Sequence, residues 1–161
     1  MFNLKAEFYL KIIFLFSFIA LISAFFIEYI LGHQPCNLCL IERIPYGLSI
    51  MIIMAIFLIR KNQKFLVMLL ILTFIFSFAI SFYHFGIEQG FFQESSVCGV
   101  KSSTEIVTKE DLLKQLSEKT ISCKDVTFRI FGLSLTSINI VISLLFITTL
   151  LKIFKKYEKN K

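Results

Sequence analysis

Tryptophan is absent from this 161-residue chain, proline occurs only twice, and charged residues make up 17% of it. The shortage of charge is concentrated: Ile12 to Ile27 carries none, and neither does Ile130 to Leu151. Hydrophobic residues reach 57%, with 20 phenylalanines, and the mean hydropathy is +0.79. An ordinary soluble domain has an apolar share of about 45–50%, so this composition excludes one and predicts a membrane protein. Without tryptophan, the interfacial aromatic belt must be built from tyrosine. Tyr9, Tyr29, Tyr46, Tyr83 and Tyr157 all fall at or just beyond the ends of apolar runs. The net charge of +6 lies in short basic runs beside those segments, where it orients a chain in a bilayer. It does not form a nucleic-acid surface.

Four apolar runs predict four membrane spans, at about 10–31, 41–59, 65–83 and 130–151. About 20 helical residues at 1.5 Å each cross a hydrocarbon core of roughly 30 Å. The first run could be taken for a signal peptide, with Ile22-Ser23-Ala24 as a cleavage site, but it is too long for a typical signal core and continues past that point. The expected fold is therefore all-α: a four-transmembrane-helix bundle forming one integral membrane domain over 1–161, with outer loops at about 32–40 and 84–129. In the long loop, Thr108-Lys109-Glu110-Asp111 reads as a helix start, predicting a short surface helix to about Lys119. Lys5, Lys11, Arg60, Lys61, Lys64, Lys152, Lys155 and Lys156 flank one set of span ends; mainly Arg43, Lys124 and Arg129 flank the other. That bias predicts a multi-pass protein with both termini cytoplasmic. All four cysteines then lie in the outer loops, in a compartment that permits disulfides.

Cys36 and Cys39 form a Cys-x-x-Cys pair between the first two spans, and Cys98 and Cys123 lie in the long loop. Four cysteines allow three connectivities. A static bridge from Cys98 to Cys123 is plausible, since closing such a loop stabilises by roughly 3 kcal/mol in the chain-entropy model. Cys36 to Cys39 suits a static role poorly: so short a loop removes little denatured-state entropy, and such pairs recur in redox sites. A zinc site of four thiolates ranks third, and no metal is expected. Arg43 follows Cys39 by four residues, one helical turn, where its charge would favour a thiolate or bind a polar ligand. Snorkelling to the interface is its plainer role. Glu42 and Glu28 read first as interfacial, each also a candidate partner of Arg43. His84, at the outer end of the third span, is balanced between ligand contact or proton transfer and an idle interfacial position.

The stretch Cys36-Asn37-Leu38-Cys39-Leu40-Ile41-Glu42-Arg43, with four spans and a second cysteine pair in the second outer loop, resembles the bacterial DsbB family of quinone-linked disulfide-bond formation proteins. The resemblance extends over Tyr83-His84-Phe85-Gly86-Ile87-Glu88 and over the run from Cys123 to Ser134, and so covers nearly the whole chain. It implies a quinone-dependent protein-disulfide oxidoreductase of the bacterial inner membrane, with its cysteines periplasmic. Such an enzyme reoxidises a periplasmic DsbA-like thiol oxidase and passes the electrons to ubiquinone or menaquinone. Cys98 would receive the partner's thiolate, Cys123 would carry the exchange to Cys36, and Cys39 would face the quinone. Arg43 would stand beside a quinone oxygen, and His84 would also serve the quinone. A vitamin K epoxide reductase-like enzyme and a non-enzymatic scaffold with two static disulfides are the alternatives; the arginine spacing and the loop order match DsbB better.

Overall fold

A computed structural model describes residues 4–59, 62–93, 98, 123, 129–130 and 132–159. Four of its helices are long and apolar enough to cross a membrane. They are α1 (Leu4–Tyr29), the pair α2 (Asn37–Ile41) and α3 (Ile44–Leu58), which together make one candidate span, α4 (Gln63–Glu88) and α5 (Leu135–Lys159). In hydrocarbon every backbone N–H and C=O must be paired within the protein, and the long charge-free runs meet that demand as helices. The other regular structure among the described residues is a minimal antiparallel pair, β1 (Arg129–Ile130) and β2 (Leu133–Ser134). Gly132, with φ of 82°, supplies the turn conformation between them. The expected surface helix at 109–119 lies outside the described residues, as does Lys124.

The helices run up and down. α4 packs most extensively on α5 and also on α3, α3 packs on α1, and α1 touches α5 only slightly. The apolar core joins Leu10 and Ile13 of α1, Ile52, Ile53 and Ile56 of α3, Leu70 and Phe74 of α4, and Phe146 and Leu150 of α5. Phe74 sits at its centre, edge-on to Phe146 with ring centroids 5.0 Å apart. Small polar groups are also turned inward: Ser49 donates to Ser17 at 3.0 Å, and Ser143 to Ser77 at 3.2 Å. Large apolar side chains such as Leu15, Phe18, Ile22 and Leu145 are turned outward. That exterior suits lipid, and serines at helix contacts let backbones approach closely.

Two departures from the sequence reading bear on the site. First, Cys39 and Arg43 do not share one continuous helix: α2 ends at Ile41, and Glu42 and Arg43 form a turn before α3. Pro45 explains the break, because it has no N–H to give the Ile41 carbonyl and its ring would crowd that carbonyl. Second, α4 runs on to Glu88, five residues past the expected end at Tyr83, and then closes at Gly90. There φ is 77°; Phe91 N–H donates to Gly86 O at 2.8 Å and Gly90 N–H to Ile87 O at 3.0 Å, a Schellman ending. His84 and Glu88 therefore stand on a regular helix one turn apart.

Candidate active site

The site lies at the end of the bundle where α1 and α4 finish and α2 and α5 begin. Cys36 is the N-cap of α2: its backbone is extended, and its Sγ accepts the Cys39 N–H at 3.2 Å. His84 Nε2 approaches the same sulfur at 3.6 Å. Together these contacts push the Cys36 thiol down to about 5 from an ordinary 9.0. The hydrogen bond from the Cys39 side chain is the largest cause; burial opposes it, and the hydrogen bond and charge of His84 add to it. Cys36 is buried and Cys39 partly exposed, and both are free thiols.

Cys98 and Cys123 are joined in a disulfide, with Cα atoms 5.4 Å apart. Both belong to a buried cluster with Cys36, Leu38 and Ile87, against which Cys39, Ile41, Ile80 and Tyr83 pack. One apolar cluster thus brings together all four cysteines singled out in the sequence, one pair oxidised and one reduced.

Behind the sulfurs lies a polar network. His84 Nδ1 is 2.9 Å from Glu42 Oε1; a carboxylate only accepts, so Nδ1–H is the donor and Nε2 is left to face Cys36. Asn139 Nδ2 donates to Glu42 Oε2 at 3.1 Å and to Ser81 Oγ at 2.7 Å, and Tyr46 OH donates to Asn139 Oδ1. Thr136 Oγ1 donates to Glu88 Oε1 at 2.6 Å. Glu88 Oε2 is buried without a hydrogen-bond partner among the described residues. Glu42, read from the sequence as interfacial, is in fact only 8% exposed and holds His84. The cause is the turn at Pro45, which directs residue 42 into the bundle while its neighbour Arg43 meets α1. Arg43 pairs with Glu28 and lies over the Phe25 ring, 5.3 Å from its centroid. The pairing of Glu28 with Arg43 offered by the sequence is therefore present.

Tyr46, read from the sequence as part of the interfacial belt, is instead buried with its OH on Asn139. Ser81, Glu88, Thr136 and Asn139 were given no role in the sequence. Their signal was spacing. Ser77, Ser81, His84 and Glu88 recur at helical intervals on α4, and Thr136, Asn139 and Ser143 do so on α5. Polar residues repeating on one face of an otherwise apolar span mark a face turned toward protein.

A family model described as disulfide bond formation protein DsbB matches residues 6–153. An uncharacterized protein of Rickettsia prowazekii (strain Madrid E) is 32% identical over 130 residues, covering 80% of this chain and 76% of its own length. No solved structure matches the chain. With four spanning helices and a match over nearly its whole length, this chain belongs to the DsbB family and is a multi-pass membrane disulfide oxidoreductase.

Proposed function

We propose that the protein reoxidises a DsbA-like thiol oxidase and delivers the two electrons to a membrane quinone. The observation that carries this reading is the shared buried cluster, in which the Cys98–Cys123 disulfide packs with Cys36 and against Cys39. Exchange requires a thiolate in line with a disulfide sulfur, and a common cluster makes such a meeting intramolecular.

In this reading a partner thiolate attacks Cys98 Sγ, forming a mixed disulfide and releasing Cys123 as thiolate. Cys123 attacks Cys36 of an oxidised Cys36–Cys39 pair and releases Cys39. The partner's second thiol then frees Cys98, which attacks Cys123 and restores the Cys98–Cys123 disulfide, leaving Cys36 and Cys39 reduced. A bound quinone supplies the sink for the two electrons and two protons given up as Cys36 and Cys39 close their disulfide again. Cys39, partly exposed, and Arg43, seated over Phe25 at the α1 boundary, offer a sulfur, a cation and an aromatic face suited to such a ring. His84 also serves this step: through Nε2 it exchanges a proton with Cys36, and Glu42 fixes its orientation. On the same reading the cysteines are periplasmic and the protein lies in the bacterial inner membrane.

Purified protein in detergent should reoxidise a reduced DsbA-like partner only when quinone is supplied. Each single cysteine variant should be impaired. Turnover without quinone, or full turnover in any one of these variants, would refute the relay.

A further inference from the structure

Cys36 Sγ, Cys39 Sγ and a ring nitrogen of His84 all lie within 4.8 Å of one another. We propose that the reduced chain binds one zinc ion through Cys36 Sγ, Cys39 Sγ and His84 Nε2, and that zinc held there stops thiol exchange. The second half rests on the relay described above; the first half does not.

Three observations carry the site. The first is distance. Zinc–sulfur bonds of about 2.3 Å and zinc–nitrogen bonds of about 2.0–2.1 Å set the sulfur–nitrogen edge of a tetrahedron at roughly 3.5–3.6 Å. Cys36 Sγ and His84 Nε2 are 3.6 Å apart. The second is the tautomer. His84 gives its Nδ1 hydrogen to Glu42, so Nε2 is the nitrogen turned to the sulfurs, and it offers its lone pair as its own proton leaves on metal binding. A zinc-binding histidine characteristically donates its other nitrogen's hydrogen to a carboxylate, which fixes the ring and raises its basicity. The third is a spare oxygen. Glu88 Oε1 is 3.9 Å from His84 Nε2, and Oε2 of the same buried carboxylate has no partner among the described residues. A small rotation of that side chain would offer a fourth donor; otherwise the fourth position is open to water.

This is a Cys2His set, different from four thiolates, and it needs only one of the two cysteine pairs. Binding is redox-neutral: each thiol gives up its proton as its sulfur becomes a ligand. Because a disulfide sulfur is not a thiolate, oxidation of Cys36 and Cys39 abolishes the site. Zinc would therefore select the reduced protein, and by occupying both sulfurs it would block their re-oxidation and their exchange with Cys123.

The test uses the full chain in detergent carrying Cys98→Ser and Cys123→Ser, so that only Cys36 and Cys39 can bind as thiols. Titrated with zinc against a chromophoric chelator, the reduced chain should take up one equivalent, and the oxidised chain none. Glu42→Gln should weaken binding by about 10–100-fold, and His84→Ala by more. Cobalt(II) in place of zinc should give sulfur-to-metal charge transfer and the strong visible bands of a tetrahedral site with nitrogen present, which reads the histidine without mutating it. Absence of stoichiometric binding, equal binding in the oxidised chain, or a cobalt spectrum of sulfur donors alone would overturn the site. Quinone-linked turnover of the unaltered chain, measured with and without zinc, tests the second half. Zinc uptake with no turnover under any condition would refute the relay and leave the metal site standing. Normal turnover in saturating zinc would refute the inhibition alone.

Discussion

Cys36 and Cys39 differ in what touches them. Cys36 receives a backbone N–H, a neighbouring thiol and an imidazole, while Cys39 is partly exposed. The thiolate absorbance of the reduced pair should accordingly rise with a midpoint near pH 5. Cys39→Ala should move the midpoint up further than His84→Ala, since the Cys39 hydrogen bond is the larger cause. A midpoint near the ordinary 9.0 would contradict this geometry. A thiol whose value is lower in the fold stabilises the reduced fold more as pH rises from about 5 toward 9.0, and that contribution disappears as pH falls through about 5. Arg43 belongs to the other side of the site, with Glu28 and Phe25. If it holds a quinone oxygen, Arg43→Ala removes a charged hydrogen bond of about 1.5–3 kcal/mol. The quinone concentration needed for half-maximal rate should then rise at least about tenfold. Partner binding should be unaffected; equal damage to both would return Arg43 to a snorkelling role.

At the scale of elements, the seam between α4 and α5 joins polar residues in antiparallel register: Ser77 with Ser143, Ser81 with Asn139, and Glu88 with Thr136. Asn139 also holds Glu42 and Tyr46. Asn139→Ala leaves several buried groups unpaired and should cost about 1–3 kcal/mol of thermal stability in detergent. Ser143→Ala removes a single interhelical bond and should cost about 0.6 kcal/mol. Equal effects from the two variants would mean that Asn139 is not the hub of the network. This seam also marks where the sequence was hard to read. The helices themselves were legible, because charge-free runs of spanning length have few alternatives in a membrane. The cysteine pairs were legible as chemistry through their spacing and their loops. Glu42 was not, because a carboxylate beside a span end is ordinarily interfacial, and its partners His84 and Asn139 lie 42 and 97 residues away. The turn forced by Pro45 decides which of two adjacent charges goes inward, and hydropathy does not register it.

At the scale of the whole molecule, the two ends of the bundle differ in kind. One end gathers thiols, carboxylates and an imidazole; the other carries Lys64, over the Phe154 ring at 5.2 Å, together with Lys152, Lys155 and Lys156. Lysines near span ends favour the cytoplasmic side. A reporter that works only outside the cytoplasm should therefore be silent when fused at Asn62. Activity there would invert the orientation and take the oxidising environment away from the cysteines. The polar seam has a mechanical consequence as well. Ser77 with Ser143 and Ser81 with Asn139 share one register, so sliding α4 along α5 by a single turn would uncouple both pairs at once. The two helices form one stiff bar with His84 and Glu88 fixed to it. α1 is held by α3 and by the Arg43–Glu28 pair but barely touches α5, so the α1–α5 side is the thinnest wall of the bundle, where a greasy visitor from the lipid meets the least packing.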